Sequence, residues 1–348
     1  MPKHQKRVII LQCRNFGDAV ISSGLLESLG RCYPHWNLEI VTRPQFKEVF
    51  EYNPYVKKLH YAQFPMGTVK NFNLYEALRL TKRILILRNN KYDICINNIG
   101  DFREIFLGWL LNSKKNISIA WGKGHPYNHL IRSRLWSLVD QRITIPATVL
   151  NVYQVIEYFS QSLNCVSIGL PSLYQVDGNL YKNHQPQKVV GMHITATQPT
   201  RTWLLKKWKQ LIKLVLINGY KVWLFGAPNE KYQIEQNFNE LIDEYQVDLK
   251  IGALTDFFQW LTQIKVLVGL DSFSIHAAYA IATPRIMLNG ANDYRIWVPP
   301  KTEVINGGNA CVYYPCYNKP KCKKTDFEYI CMRSITVETV MNKLRKYL

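Results

Sequence analysis

Residues 266–290 have the sequence VLVGLDSFSIHAAYAIATPRIMLNG. The stretch begins with a short apolar, β-branched run, which predicts a buried strand. Asp271 and Ser272 interrupt that run and can cap a helix, and Pro284 ends the helix before a second apolar run. The stretch therefore predicts a β-α-β unit with polar side chains at the carboxyl end of its first strand, where open α/β sheets bind ligands.

The amino end of the predicted helix is suited to an anionic ligand. Its unpaired N–H groups and the partial positive charge of the helix dipole both favour a diphosphate. His276, about one helical turn further along, lies on the same approach. The alternative is purely structural, with Asp271 and Ser272 as a helix cap and His276 as a core histidine.

The same alternation of apolar strands and amphipathic helices occurs on both sides of one polar segment rich in turn-forming residues. Alternating strands and helices are typical of parallel sheets with right-handed crossovers. Ligands are expected in the cleft between two such domains. The predicted parts are a Rossmann-like domain over residues 1–172, a linker over 173–187, a second Rossmann-like domain over 188–335 and a C-terminal helix over 336–348.

The charge balance indicates an anionic partner. The chain has 348 residues, with 44 Lys and Arg against 25 Asp and Glu and a net charge of +19. Nucleic acid, an anionic membrane face or a phosphorylated glycolipid all suit this charge. We find no RNP-like aromatic strand and no recognition helix with a basic stripe, which disfavours nucleic acid. No run reaches the ~18 apolar residues of a membrane span, and the N-terminal apolar run is too short for a signal peptide. A cytoplasmic location is expected.

Asp18 follows the first predicted strand, where the chain turns into a helix. It is either a helix N-cap or a carboxylate that faces the cleft and accepts a proton from an incoming hydroxyl. No GxGxxG motif follows this strand and no GxxxxGK[ST] motif occurs in the chain. Dinucleotide oxidoreductases and P-loop NTPases are therefore disfavoured.

Two loops of the second domain carry further candidates. The first, HITATQPTRTW over residues 193–203, contains the Thr197 hydroxyl and the planar guanidinium of Arg201, which suits phosphate. The alternative is an ordinary polar loop. The second, FGAPNE, ends in Glu230, which is either a carboxylate at a helix start or a ligand for ribose.

Four of the eight cysteines lie within residues 311–331. Their spacing, C-x4-C-x5-C-x8-C, is looser than the paired C-x2-C knuckles of zinc ribbons. Thiolates in a cytoplasmic protein favour a structural Zn or Fe over disulfides, although disulfides and free thiols remain alternatives. The predicted ligands are Cys311, Cys316, Cys322 and Cys331.

Five segments carry a common pattern: RNFGDAVISSGLLESL (14–29), VTRPQFKEVFEYNPYV (41–56), PTRTWLLKKW (199–208), FGAPNE (225–230) and DSFSIHAAYAIATPRIMLNGANDYRIW (271–297). Taken in this order and spacing, they resemble glycosyltransferase family 9, the ADP-heptose:lipopolysaccharide heptosyltransferases. The Arg14-to-Asp18 segment and the tail ending in CMRSIT are similar to the heptosyltransferase III-like branch. The cysteine cluster also resembles the iron-binding finger of autotransporter heptosyltransferases.

The resemblance implies an α/β fold of the GT-B type, in which two Rossmann-like domains face each other across a cleft. The N-terminal domain is expected to bind the acceptor and the C-terminal domain the nucleotide sugar. The reaction is expected to invert the anomeric centre and to need no catalytic metal.

The resemblance also implies roles for individual residues. Asp18 takes the position of the general base toward the acceptor hydroxyl. Phe273 replaces a glycine of the family pattern and Asn292 a threonine, which leaves the choice of nucleotide sugar open. The implied donor-binding residues are Thr197 and Arg201 at the phosphates, Glu230 at the adenosine ribose, Asp271 at the heptose, and Ser272, Phe273 and His276 at the diphosphate.

The resemblance implies transfer of heptose from ADP-heptose to a hydroxyl of the lipopolysaccharide or lipooligosaccharide core. The acceptor is then a lipid A-core at the inner membrane, which the enzyme meets from the cytoplasm as a peripheral protein. Three alternatives remain: a protein hydroxyl as acceptor, as in the autotransporter group; another nucleotide sugar as donor; and a basic RNA-binding protein with a structural metal. The missing aromatic platforms disfavour the RNA-binding alternative.

Overall fold

The computed structural model describes residues 5–12, 14–62, 73–126, 133–182, 186–196, 198–245, 247–317 and 319–348. The chain forms two compact units, residues 1–179 and 180–348. The boundary between them falls in the polar segment 173–187. None of the described helices combines the length and the apolar character that crossing a membrane requires.

The first unit is a doubly wound parallel sheet. Its strands are β1 Arg7–Gln12, β2 Asn37–Thr42, β3 Val56–Tyr61, β4 Ile94–Asn97, β5 Lys115–Trp121 and β6 Gln141–Ile145. Its described helices are α1 Phe16–Cys32, α2 Lys47–Phe50, α3 Leu74–Arg88, α4 Phe102–Leu110 and α5 Val152–Ser162. The six strands are all parallel and follow the order β3-β2-β1-β4-β5-β6. The strand order therefore reverses between β1 and β4, which is where such sheets bind ligands.

Helices α3 and α4 cover the same face of the first sheet. Ile9 and Leu11 of β1 form one buried cluster with Leu80 and Ile84 of α3 and Leu107 of α4. Each of these side chains contributes ~1.5–3 kcal/mol on burial. Right-handed crossovers place α1 on the opposite face, where it packs against α5.

The second unit repeats this architecture. Its strands are β7 Val189–His193, β8 Lys221–Gly226, β9 Asp248–Ile251, β10 Val266–Leu270, β11 Arg285–Asn289 and β12 Glu303–Asn306. Its described helices are α6 Leu205–Ile217, α7 Lys231–Tyr245, α8 Leu254–Leu261, α9 Phe273–Ala280, α10 Tyr294–Trp297, α11 Ile330–Ser334 and α12 Val337–Leu344. The strands follow the order β12-β11-β10-β7-β8-β9. Here the reversal lies between β7 and β10.

The β-α-β unit predicted from residues 266–290 is confirmed as β10, α9 and β11. The two strands pair in parallel, from Leu267 opposite Arg285 to Leu270 opposite Leu288. The residues that follow β7 and β10 consequently meet at one edge of the sheet. The C-terminal helix α12 belongs to this unit and packs against α6.

Candidate active site

Arg201 connects two loops at the carboxyl edge of the second sheet. It ends a 3-10 turn over Pro199–Arg201, which follows β7. Its Nη1 donates a hydrogen bond to the backbone oxygen of Asp271, which follows β10, at 3.1 Å. Because β7 and β10 flank the reversal of strand order, this contact lies in the crevice where doubly wound sheets bind ligands. Arg201, the residue predicted to bind phosphate, thus lies beside the start of α9.

Asp271 is buried in this crevice, with 4% of its surface exposed. Its Oδ2 accepts a hydrogen bond from Nδ2 of Asn292 at 2.6 Å. Burial raises the pKa of the Asp271 carboxyl, while the positive charge of Arg201 and the hydrogen bond from Asn292 act in the opposite direction. Asn292, which departs from the family pattern, is therefore a member of the site that fixes the orientation of Asp271.

Helix α9 begins in the same crevice. Ser272 is its extended N-cap residue, and the Ser272 Oγ lies 3.1 Å from the Oγ of Ser274. The ring of Phe273, the first helical residue, packs on the rings of Phe257 and Phe258 in α8, with centroids 5.9 and 6.3 Å away. The Phe273 side chain is thus held by packing on α8, while the first turn of α9 contributes backbone N–H dipoles to the crevice.

His276 lies in α9 with 5% of its surface exposed. Burial lowers its pKa to about 3, and the positive charges of Arg285 and Arg201 act in the same direction. At neutral pH the imidazole is therefore uncharged and has one donor and one acceptor nitrogen. Positive charge in this crevice consequently comes from Arg201 and the amino end of α9, not from His276.

Glu230 lies in a 3-10 turn after β8, where its Oε2 accepts a hydrogen bond from the backbone N–H of Ala227 at 2.8 Å. Burial lowers the pKa of His193, at the end of β7, and the negative charge of Glu230 partly opposes this effect. Glu230 and His193 therefore both lie at the β7 and β8 side of the edge. Thr197, the remaining donor-binding candidate, lies outside the described residues.

Asp18 lies at the corresponding edge of the first sheet, after β1. It is the third residue of α1, and its Oδ2 accepts hydrogen bonds from the backbone N–H and the Nδ2 of Asn15, at 3.1 and 3.2 Å. Asn15 is the N-cap, so the structural alternative that made Asp18 the N-cap is wrong. Asp18 instead completes a capping box and stays partly exposed. Its position after β1 is next to the reversal of strand order.

A second carboxylate at this edge, Asp101, was not among the predicted site residues. It caps α4 and accepts hydrogen bonds from Arg14 Nη1 and Arg103 Nη2, both at 2.7 Å. Burial would raise its pKa, but the hydrogen bond from Arg103 and the charges of Arg14 and Arg103 outweigh burial, and the pKa is lowered. The pair of Arg14 and Asp101 therefore connects the ends of β1 and β4. The available sequence signal was an Asp before a helix with Glu104 three residues later.

A cavity of about 280 Å³ lies against β5 and β6. The guanidinium carbon of Arg142 lies 5.3 Å from the centre of the Trp136 ring, and Arg142 Nη2 donates to the Trp136 backbone oxygen at 3.0 Å. Two indole rings with two cations suit a saccharide that carries acidic groups. The lining residues are Ala120, Trp121, Gly122, Lys123, Trp136, Arg142 and Thr144.

The sequence model of glycosyltransferase family 9 (heptosyltransferase) matches residues 78–326. The match covers well over half of the chain and includes every candidate donor-binding residue. The chain belongs to glycosyltransferase family 9. It is therefore a glycosyltransferase, as the resemblance implied.

Relatives of this family 9 protein agree with the match. Lipopolysaccharide heptosyltransferase 3 of Escherichia coli is 24% identical over 314 residues, which cover 84% of this chain and 86% of the relative. The family 9 glycosyltransferase from Veillonella parvula DSM 2008 superposes with a TM-score of 0.74 at 16% identity, covering 100% of this chain and 98% of the other. E. coli heptosyltransferase WaaC with ADP-2-deoxy-2-fluoro heptose superposes with a TM-score of 0.71 at 16% identity, covering 98% of this chain and 100% of the other. The predicted GT-B fold of two Rossmann-like units is confirmed.

The family 9 protein gathers four cysteines between β12 and α12. The pKa of Cys331 is raised to about 11, chiefly by burial, and the charges of Cys311, Cys316 and Cys322 act in the same direction. In the described part of the chain, however, no group of three or more His, Cys, Asp or Glu side chains is arranged to hold a metal ion. The donor atoms are those that Zn and Fe prefer.

Proposed function

We propose that this family 9 glycosyltransferase transfers heptose from ADP-heptose to a hydroxyl of the lipopolysaccharide or lipooligosaccharide core, with inversion of the anomeric carbon. The contact of Arg201 with the backbone of Asp271, beside the amino end of α9, carries the proposal. It offers a diphosphate one cation and one helix dipole at the same edge of the sheet. The lipopolysaccharide heptosyltransferase relative and the structure of WaaC with an ADP-heptose analogue support this donor and acceptor.

The second unit holds the donor in this proposal. Arg201 and the backbone N–H groups of Ser272 and Phe273 bind the diphosphate, and the neutral imidazole of His276 adds a hydrogen bond. Asp271, oriented by Asn292, lies toward the heptose. Glu230, in the turn after β8, binds the adenosine ribose, and Thr197 belongs to the phosphate-binding loop.

Asp18 of the first unit acts as the general base. The acceptor oxygen attacks the anomeric carbon from the side opposite ADP, and its proton passes to the Asp18 carboxylate. The bond between the anomeric carbon and the β-phosphate oxygen breaks, and ADP leaves with the electron pair. Arg201 and the amino end of α9 stabilise the departing charge, and such preorganised groups contribute about 3 kcal/mol each. A positioned base contributes roughly 10²–10⁴-fold.

The acceptor is an acidic, lipid-linked oligosaccharide in this proposal. The net charge of +19 and the cavity with Lys123 and Arg142 suit the phosphates and acidic sugars of a lipid A-core. Such a substrate places the enzyme in the cytoplasm, at the inner face of the membrane as a peripheral protein. Because these contacts are electrostatic, acceptor binding is expected to weaken with salt.

The proposal also includes a structural Zn or Fe at the four C-terminal cysteines, and it rests on the preference of these ions for thiolate ligands. An ion whose four coordination positions are all filled by thiolates is structural, so it would hold the loop in place. The transfer itself is proposed to need no metal, and no step of it passes through this cluster.

Thermal-shift measurements with ADP, UDP, GDP and ADP-heptose test the donor. We expect the melting temperature to rise selectively with ADP and ADP-heptose. An equal rise with UDP or GDP would contradict an adenine nucleotide as donor. The donor would then be another nucleotide sugar, and the replacements at Asn292 and Phe273 would be adaptations to it.

Product analysis tests the acceptor. Purified enzyme with ADP-heptose is incubated either with core glycolipid or with a polypeptide of the autotransporter type, and the products are weighed by mass spectrometry. We expect one heptose to be added to the glycolipid only. Addition of heptose to the polypeptide would show that the acceptor is a protein hydroxyl and not the lipopolysaccharide core. If the purified protein retains RNA tightly and releases no ADP from ADP-heptose, the proposal that it is an enzyme is wrong.

A further inference from the structure

Helix α3 carries an apolar stripe on its solvent side. Leu74, Leu78 and Leu85 lie at positions i, i+4 and i+11 of one helical face and are 64%, 60% and 44% exposed. Tyr75 and Ile86 border this stripe with 66% and 51% exposure. An ordinary surface helix presents polar residues on that side. The residues of α3 that pack into the core are Leu80, Ile84 and Leu87.

Helix α4 repeats this feature with aromatic residues. Phe102, Phe106 and Trp109 follow the spacing i, i+4, i+7 and are 48%, 44% and 50% exposed. The rings of Phe106 and Trp109 lie with their centroids 5.7 Å apart. The opposite side of α4, with Leu107 and Gly108, is buried. The three rings therefore lie on the same exposed side of the helix.

The two stripes lie on the same side of the first unit. Leu80 of α3 and Leu107 of α4 belong to one buried cluster on one face of the sheet, and the two helices pack side by side. Since each stripe lies opposite the buried side of its helix, both point away from that sheet face. We call these eight exposed residues of α3 and α4, together with the cations of α3, the α3–α4 face.

The α3–α4 face carries four cations. They are Arg79, Lys82, Arg83 and Arg88, all exposed. Among the residues that the structure describes, none of them pairs with a carboxylate, whereas Lys47, Lys213 and Lys343 each have one. Arg79 instead lies over the ring of Tyr75, 5.6 Å from its centre. Apolar side chains and unpaired positive charge therefore share one surface.

We propose that the α3–α4 face docks on an anionic lipid bilayer. This inference deepens the proposed function, because a lipid-linked acceptor lies in such a bilayer. Aromatic and leucine side chains enter the boundary between headgroups and acyl chains, and lysine and arginine bind lipid phosphates. A second copy of the chain fits this surface less well, since a two-fold interface would bring the same unpaired cations together.

Vesicle sedimentation tests the α3–α4 face without donor or acceptor. We expect the wild-type protein to bind vesicles of phosphatidylcholine mixed with phosphatidylglycerol and not vesicles of pure phosphatidylcholine. The double variant Lys82→Glu with Arg83→Glu should weaken partitioning by roughly 30-fold or more, and Phe106→Ser with Trp109→Ser by roughly tenfold or more. The control is Ile217→Ser with Tyr232→Ser, two residues of the second unit that are 79% and 75% exposed, and it should bind like wild type.

Three outcomes would overturn the docking surface. They are absence of wild-type binding to the mixed vesicles, equal loss in the control variant, and a doubled mass in solution that Phe106→Ser with Trp109→Ser reduces to the monomer mass. Heptose transfer to a delipidated, water-soluble core acceptor is measured separately, and the surface variants should leave it unchanged. Failure of that transfer with intact vesicle binding would reject the proposed function and leave the docking surface standing.

Discussion

The Nδ2 of Asn292 lies 2.6 Å from the Oδ2 of Asp271, and both residues are buried. Asp271 follows β10 and Asn292 follows β11, so this hydrogen bond connects the ends of two neighbouring parallel strands. Arg201 binds the backbone of the same aspartate from the β7 side. In a buried network of this kind each member depends on the others, because an unpaired polar group has no water to replace its partner.

Removal of the Asn292 amide should therefore affect both stability and donor binding. We expect Asn292→Ala to lower the free energy of unfolding by about 1–3 kcal/mol, since the Asp271 carboxyl stays buried without its donor, and to raise KM for the nucleotide sugar. Urea unfolding and initial-rate kinetics measure the two effects. Asn309→Ala removes an exposed amide that also forms one hydrogen bond and should do neither. Unchanged stability and KM in Asn292→Ala would contradict a structural link to the donor.

Neutralising Arg201 should affect the chemical step. We expect Arg201→Gln to lower kcat roughly 100-fold, because the charge that develops on ADP loses its preorganised cation, and to reduce the thermal shift caused by ADP. Lys206→Gln, which removes an exposed cation five residues away in sequence, should keep both near wild type. Equal losses in the two variants would mean that general electrostatics, rather than Arg201 at the crevice, binds the nucleotide.

The Asp18 role can be separated from its capping function. An asparagine oxygen still accepts the N–H of Asn15, so Asp18→Asn should fold, while kcat falls by roughly 10²–10⁴-fold because the amide cannot take a proton. Asp256 caps α8 in the same manner, with its Oδ2 2.9 Å from the backbone nitrogen of Ala253. Asp256→Asn is the matched control and should retain full turnover. Full turnover in Asp18→Asn would disprove the base assignment.

Most strands and helices could be predicted from periodicity, because a strand buried on both faces is a continuous apolar run. The two strands that were not predicted, β6 and β12, are the outer strands on the corresponding side of each sheet. In β6, QRITI, exposed Arg142 and Thr144 alternate with buried Ile143 and Ile145, and β12, EVIN, has only 4 residues. An edge strand packs on fewer neighbours, so its sequence carries a weaker apolar signal.

The site divides in a similar way. Asp271, Ser272 and His276 are neighbours along the chain, so one motif was enough to group them. The partners of the two buried carboxylates could not be predicted, since Asn292 is 21 residues from Asp271 and Arg14 is 87 residues from Asp101. Only the pairing of parallel strands brings such residues together, and a single sequence does not show which strands are neighbours.

His276 makes stability depend on pH in a defined direction. Its pKa in the folded protein is about 3, below the value of roughly 6.5 of an exposed histidine. The unfolded chain therefore binds an extra proton between these two pH values, and stability is lost as the pH falls through this window, by up to ~1.4 kcal/mol per unit.

Urea unfolding at several pH values measures this dependence. His276→Gln should show a shallower decline between pH 6.5 and 3, roughly the two pKa limits, and His35→Gln, at a partly exposed position, should decline like wild type. The raised pKa of Asp271 acts with the opposite sign, so the difference between the two histidine variants isolates His276. Identical slopes in both variants would contradict a buried neutral imidazole.

Metal analysis of the purified protein tests the cysteine cluster. If the thiols close around a structural ion, we expect about one Zn or Fe per chain, lost in Cys316→Ser and retained in Cys32→Ser, a partly exposed cysteine of the first unit. A chelator should then lower the melting temperature of wild type and leave that of Cys316→Ser unchanged, because binding energy of the ion is part of the folding energy. If the purified protein contains no metal and its melting temperature is the same with and without chelator, packing around buried Cys322 and Cys331 holds this loop without an ion.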